Sequence, residues 1–514
     1  MSKSISLLCL LFFSIIVQAK VYNISELGGD PFGKKLCTGI INSSIKKAAS
    51  EGGGTIYFPA GKYLTAAIHL ESNITIEIES GAELLFSDNF EDYLPFVKVR
   101  WEGTFMNSFS PLFYAVDAEN ITIKGRGKIN GQGHKWWTES MRLIQEIRAN
   151  GKVSSINQLQ QKWVEANKGL SVSSYYEKTM ERKFFRPPFI QFLECKNIRI
   201  EGITIVNSPF WTINPVGCDD IVISGVTINN PSKNPKGHNT DGINPSSCRN
   251  VRISDCLISV GDDCITIKSG RDADGRKYGK PCENITITNC VMLAGHGGVV
   301  IGSEMSGGVK KVTISNCVFD GTDAGIRLKA SRGRGGVVEE IRVDNLVMNN
   351  IQRNAFIFDL FYDNLPVEPV SERTPAFRNI HISNVTGSNI KQIGYITGIE
   401  EMPIEEISFN NINMTAEVGF KARTARNLQF TDVDWAVTEG ASFSFSDCRD
   451  IVLNNIGSKK PIANEPVVIA ENTKNVLVNN CFPSIPTDIF LQNTQSQIIW
   501  GNNFFNQVKQ IERK

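Results

Sequence analysis

At 514 residues the chain could hold several average domains, but all-β chains often run this long as one unit, so length alone forces no boundary. Its 54 Lys and Arg against 53 Asp and Glu leave a formal charge of +1, without the basic excess of a nucleic-acid binder. Beyond the first residues no apolar run is long enough to span a membrane, so an integral helical membrane protein is excluded, while an acidic polymer held in a local basic cleft is not.

Residues 1–19 read as a secretory leader: Lys3, the apolar run Ile5 to Val17, and Val17-Gln18-Ala19 as a small-residue cleavage end. The run is shorter than the roughly 20 residues a span needs. Export to the periplasm or the exterior is therefore expected, with 20–514 as the mature unit. Of 12 Cys, Cys9 falls in the leader. Cys256, Cys290 and Cys317 each close a similar phrase (Ile-Ser-Asp-Cys, Ile-Thr-Asn-Cys, Ile-Ser-Asn-Cys), which predicts small buried residues at equivalent positions rather than a disulfide framework. No Cys-x-x-Cys pair or His/Cys cluster has zinc-site spacing, so no structural metal is expected.

After the leader, Ser43 to Ser50 reads as a short amphipathic helix that stops at Gly52-Gly53-Gly54 and leads into a first strand, an N-terminal cap. The glycines lack the Lys-Ser/Thr of a phosphate loop. From there one phrase recurs: Asn or Asp, then alternating β-branched and polar positions, then an Asn, Asp or Gly turn. Asn73-Ile-Thr-Ile-Glu-Ile, Asn120-Ile-Thr-Ile-Lys-Gly, Asn197-Ile-Arg-Ile-Glu-Gly, Asn250-Val-Arg-Ile-Ser-Asp and Asn284-Ile-Thr-Ile-Thr-Asn are early copies, and Asn475-Val-Leu-Val-Asn-Asn is a late one. Strict alternation gives each copy one buried face. Copies about 20 to 40 residues apart stack into a solenoid. The expected class is all-β, a single-stranded parallel β-helix, since a propeller needs longer and more regular repeats. Asn-x-Ser/Thr matches such as Asn73 and Asn284 begin strand phrases and are read as turn asparagines.

The repeat breaks between Gly133 and Arg186. Trp136-Trp137, Met141 to Ala149 and Ile156 to Asn167 suggest an inserted helical excursion over the surface (133–186), either a wall of a cleft or a solvated decoration.

Three carboxylates follow. Asp241 ends a His-Asn-Thr loop, and Asp262-Asp263 follow the apolar run Cys256 to Val260 about one repeat later. An acidic pair alone would be a solvated turn. Here Asp241, Asp262, Asp263, His296 and the pair Arg327 and Lys329 fall at corresponding points of successive repeats, so a solenoid would bring them to one patch. Arg327 and Lys329 share a face because strand side chains alternate, and Arg is suited to bidentate carboxylate recognition. Two carboxyls across a gap of roughly 6.5 to 9.5 Å are what an inverting glycosidase requires.

Asn239-Thr-Asp-Gly, Gly261-Asp-Asp-Cys, Gly295-His-Gly-Gly and Arg327-Leu-Lys resemble, in that order, the four signature motifs of the polygalacturonase family of glycoside hydrolases. The resemblance runs from the Gly-Gly-Gly-Thr-Ile-Tyr-Phe-Pro-Ala-Gly cap through Arg186-Pro-Pro-Phe-Ile to about residue 365. It implies a right-handed β-helix that hydrolyses α-1,4-galacturonosyl bonds with inversion. In that pattern Asp262 is the general acid, Asp241 and Asp263 activate water, and His296 supports the acid's protonation. Arg327 and Lys329 bind the substrate carboxylate, and Tyr362 and Asn239 are further cleft residues.

The implied partner is an acidic polysaccharide, pectin or its oligosaccharides, acted on by a monomer with no cofactor. The Arg327-x-Lys329 pair disfavours rhamnogalacturonan. The excursion and the Ser269 to Arg276 loop, in which Arg271 or Arg276 would hold a chain-end carboxylate, favour exo over endo cleavage. A pectate lyase would need a calcium site, and a non-catalytic glycan-binding β-helix would not need all three acids.

Overall fold

The computed structural model describes residues 20–172, 174–233 and 235–514, so the leader reading lies outside the described residues. Thirty-one strands join in one continuous sheet whose pairings are parallel, the ladder of a parallel β-helix. The repeated phrases lie in register. Ile76, Ile123, Ile200, Ile223, Ile253, Ile287, Ile314 and Val343 form one column, which continues through Ile382, Phe409, Phe430, Leu453 and Val478. Every member of that column is buried. Each such side chain contributes about 1.5–3 kcal/mol of burial, and no coil could gather that alone.

The residue that opens each phrase turns the corner between strands. Asn73, Asn120, Asn197, Asp220, Asn250 and Asn284 have φ between 51° and 64°. Asn and Asp visit this left-handed region more cheaply than other side-chain-bearing residues, which explains the repeated letter. The corner asparagines also bond along the stack, Asn120 Nδ2 to Asn73 Oδ1 and Asn197 Nδ2 to Asn120 Oδ1, both at 2.7 Å.

The cap helix α1 (Thr38–Ser50) begins five residues earlier than Ser43, because Ile41, Ile45 and Ala48 at i, i+4 and i+7 already share the face that closes the core. The cysteines of residues 20–514 are free and buried, and Cys290 lies against both Cys256 and Cys317, as the matching phrases predict. The stack runs on through Pro466–Glu471 and Thr487–Thr494 to Val508–Arg513, so the C-terminal region adds coils.

The excursion holds three helices where two were expected: α2 (His134–Asn150), α3 (Gln158–Ala166) and α4 (Ser174–Met180). Helix α2 starts before Met141 because Trp136 anchors its first turn in a ring cluster with Phe90, Tyr93, Phe109 and Phe184. It stops at Gly151, whose φ of 76° caps it. A second cluster ties Trp163 of α3 and Phe185 to Trp101, Phe210 and Trp211. Trp101 belongs to an antiparallel ribbon, Val97–Trp101 with Thr104–Ser108. The excursion is packed onto the solenoid beside the acids rather than splayed into solvent. The Ser269 to Arg276 loop is largely a short helix, α5 (Asp272–Tyr278).

Candidate active site

Parallel register brings the acids together. Ile243 bridges to Ile265, and Gly242 N donates to Asp263 O at 3.0 Å, so Asp241 and Asp263 occupy equivalent positions on consecutive coils. His296 sits one coil further, opposite Asp262, donating its backbone N–H to Asp262 O at 2.8 Å. Glycines permit this approach. A Cβ on Gly261 would stand 2.1 Å from Gly237 O, and one on Gly295 2.6 Å from Asp262 O. Next on the outward face come Thr266 and Lys268, and, in register two coils later, Arg327 and Lys329.

The result is a polar cleft of about 270 Å³ whose lining includes Asn239, Asp241, Asp262, Asp263, Lys329 and Tyr362. Arg327 stands beside it, its guanidinium 5.7 Å from the Tyr362 ring; Lys329 Nζ is 5.5 Å from the same ring. His296 flanks the cleft through Asp262. The eight residues to which the resemblance gives a site role thus meet at one place.

The carboxyls are held differently. Lys329 Nζ pairs with Asp263 Oδ2 at 2.9 Å, both groups buried. Asp262 Oδ1 accepts from Asp263 N at 3.0 Å and is 3.0 Å from His296 Nδ1, while Oδ2 accepts from Asn239 Nδ2 at 3.3 Å. Asp241 Oδ2 accepts from Asn244 Nδ2 at 3.1 Å. Asp241 Oδ1 and Asp263 Oδ1 are buried with no hydrogen-bond partner among the described residues, two acceptors that call for water. Burial first, and Asp262 second, push the Asp241 carboxyl well above the usual carboxylate range. Burial would also raise Asp262, but the His296 hydrogen bond and, with the ring charged, its cation hold it down at about 2, helped by Lys329 and Lys268. The resemblance gives the donated proton to Asp262; Asp262 has donors on both oxygens, whereas Asp241 has fewer and its carboxyl is the one pushed upward.

Several participants were not read from the sequence. Lys268, buried beneath the acids, pairs with Glu304 at 2.8 Å and lies 4.6 Å from the Trp211 ring. Burial opposes its charge, but Glu304, Asp241 and Asp263 raise its pKa. Following the alternation of Ile265-Thr-Ile-Lys268 would have placed Lys268 outward beside the acids; Glu304 has no such signal. Arg186 donates to His238 O at 2.5 Å, Pro209 O at 3.1 Å and Asn239 Oδ1 at 2.7 Å, which turns the Asn239 amide N–H toward Asp262. Lys236 Nζ lies 2.7 Å from His296 Nε2. From the excursion Thr179 and Arg182 reach the cleft, joined by Glu102 from the ribbon; Arg271, which the sequence did suggest for a chain-end carboxylate, lines the cleft too and pairs with Glu102 at 3.6 Å. Arg276 instead donates to Gly333 O and Arg334 O, away from the cleft, so it is not the chain-end contact suggested for it.

Asp262, Asp263 and His296 present ligand atoms within 4.8 Å of one another. Each already has a partner in the chain: Asp262 on His296 and Asn239, Asp263 on Lys329, and His296 on Lys236. The set is a hydrogen-bonded acid cluster.

A family profile described as glycosyl hydrolases family 28 matches residues 171–428, half of the chain and all four motifs. The chain belongs to this family, the polygalacturonases. It is 29% identical over 413 residues to a probable polygalacturonase of Vitis vinifera, covering 78% of this chain and 76% of the relative. It is 28% identical over 452 residues to an exo-poly-alpha-D-galacturonosidase of Dickeya chrysanthemi, covering 81% and 72%. Endo-polygalacturonases of Pectobacterium also match. Among solved structures, a hyperthermoactive exopolygalacturonase from Thermotoga maritima superposes with a TM-score of 0.67 at 29% identity, covering 90% of this chain and 93% of that one. The family 28 enzyme is thus a pectin-hydrolysing glycoside hydrolase.

Proposed function

We propose that the enzyme is an exported exo-polygalacturonase that cleaves α-1,4-galacturonosyl bonds with inversion. The carrying observation is the convergence of three carboxyls, His296, Arg327 and Lys329 on a cleft walled on one side by the excursion.

Arg327 and Tyr362 hold the sugar carboxylate on the leaving side. Asp263 is held by its pair with Lys329, and its free Oδ1 with Asp241 Oδ1 seats the attacking water. Asp241 and Asp262 share one proton, which at the start of the reaction stands on Asp262 Oδ2 with Asp241 ionised. Asp262 then protonates the glycosidic oxygen as Asp241 takes a proton from the water that attacks the anomeric carbon from the opposite face. The products leave Asp241 protonated and Asp262 ionised, and return of that proton to Asp262 Oδ2 resets the site.

Exo action is supported by asymmetry. Thr179, Arg182, Glu102 and Arg271 close the cleft on the excursion side. On the leaving side the outward row of Arg327 continues through Ile357 to Tyr395 and Lys421, which line an open trough of about 580 Å³.

The test is a time course on de-esterified polygalacturonate, with Asp262→Asn as control, following product length and ultraviolet absorbance. Saturated monomer or dimer from the first minutes, with loss of turnover in the variant, supports the proposal. A spread of oligomers overturns exo action, and unsaturated products overturn hydrolysis.

A further inference from the structure

His296 bridges two partners, Lys236 Nζ at 2.7 Å from Nε2 and Asp262 Oδ1 at 3.0 Å from Nδ1. An ammonium has three donors and no acceptor, so Nε2 must accept. That requires a neutral ring with its hydrogen on Nδ1, where it donates to Asp262. An imidazolium would set an N–H of the ring head-on against an N–H of Lys236. We propose that Lys236 is a positioning residue for the hydrolysis: it holds His296 neutral and Nδ1-protonated, so that Asp262 can take up the proton it delivers to the glycosidic oxygen. The inference rests on the reading of Asp262 as the acid.

The groups facing His296 pull in both directions. The net pull on its pKa is upward: the Asp262 hydrogen bond is the largest cause, with the charges of Asp262 and Asp263 adding to it, while burial and the Lys236 charge lower it and His238 lies close by. The Lys236 contact, which only a neutral ring can accept, opposes that pull. Lys233 and Asp323 line the same hollow of about 610 Å³ beside the ring. Lys236 is the group in hydrogen-bond contact with Nε2 and therefore the one that decides the tautomer. If the ring became a cation, Asp262 would be held as its ion-pair partner and Asp241 would keep the proton. Because Oδ1 already accepts from His296 Nδ1 and Asp263 N, the transferable proton belongs on Oδ2.

Nitrogen NMR of the ¹⁵N-histidine-labelled full-length enzyme, with His296 assigned by its absence in His296→Gln, reads the tautomer without substrate. The wild type should show a neutral, Nδ1-protonated ring at the pH of maximal turnover, and Lys236→Met an imidazolium at that pH. In the variant kcat should fall about 10- to 100-fold, with KM for de-esterified polygalacturonate nearly unchanged. Both limbs of the pH profile should move upward, because removing a cation makes the ring more basic; Lys236→Arg, which also only donates, should restore tautomer and profile. An imidazolium in the wild type, or a Lys236→Met enzyme whose spectrum and limbs stay put while kcat drops, would overturn the proposal in favour of a purely structural lysine. Full turnover in Asp262→Asn would instead overturn the underlying acid assignment, and the NMR arm would still report what Lys236 does to the ring.

Discussion

Asp241 and Asp263 stand at equivalent positions on neighbouring coils, each with one carboxylate oxygen buried and unpartnered among the described residues. Their other surroundings set them apart, since Lys329 neutralises Asp263 while Asp241 has only neutral hydrogen-bond donors. Two copies of one structural position thus become two chemical groups.

Asp241→Asn separates catalysis from stability. A carboxyl whose pKa is higher folded than unfolded stabilises the fold below its unfolded pKa, near 4, and loses that contribution as pH rises through its folded pKa. Each unit of upward shift is worth about 1.4 kcal/mol. Asn cannot ionise, so the variant should lose turnover by about 10²- to 10⁴-fold yet melt higher than wild type at pH 8. The difference should shrink towards pH 4. Calorimetry at both pH values checks this; equal melting temperatures at pH 8 would show that Asp241 ionises at no cost to the fold.

The corner asparagines allow a test of the scaffold away from the cleft. Asn284 sits at φ 57° and donates to Asn250 Oδ1 at 3.1 Å. Asn284→Val places a β-branched residue in the left-handed region and removes the bond, which should cost about 1–2 kcal/mol. Asn284→Gly loses the bond but relieves the backbone and should stay within a few tenths of wild type. Denaturant midpoints that rank the two variants the other way would mean the amide ladder matters more than the corner.

Much of this architecture was open to reading because a solenoid writes its register into its repeats: the column from Ile76 to Val478 is the sequence phrase stacked on itself. The same logic brought Asp241, Asp263, Arg327 and Lys329 to one face. What escaped were contacts without a period. Arg186 reaches Asn239 across 53 residues, Lys236 reaches His296 across 60, and Lys268 reaches Glu304 across 36, none by strand register. Helix α2 starts ahead of the Met141 periodicity because its first turn is fixed by rings on other segments, Phe90 and Phe184 among them, which no local periodicity records.

Arg186 acts on the acid at one remove. Its buried fork fixes the Asn239 amide, which in turn donates to Asp262 Oδ2. A lysine there keeps charge but cannot bond three acceptors in one plane. Arg186→Lys should lower kcat by about 10²-fold, the scale of an ångström-level misplacement. Asn239→Ala should lower it comparably, and the double variant should resemble Asn239→Ala alone, because one pathway can be cut only once. Fully additive losses would show that Arg186 works through the Pro209 and His238 carbonyls instead.

Arg327 and Lys329 lie on one strand face, and the resemblance assigns both to the substrate carboxylate. The structure gives them different surroundings. Lys329 is committed to Asp263 at 2.9 Å, whereas Arg327 Nε is buried without a hydrogen-bond partner among the described residues and its guanidinium lies near Tyr362. Removing Lys329 leaves Asp263 as an uncompensated buried charge, a change that costs about 3–5 kcal/mol in comparable pairs. Lys329→Met should therefore lower both melting temperature and kcat. Under the proposed function, Arg327→Ala removes a contact made to substrate in the ground state. It should raise KM about tenfold or more, the worth of a charge-assisted hydrogen bond, with little change in melting temperature. Steady-state kinetics beside thermal melts decide the matter: if Arg327→Ala spares KM while Lys329→Met raises it, Lys329 grips the substrate and gives up its pairing with Asp263 to do so.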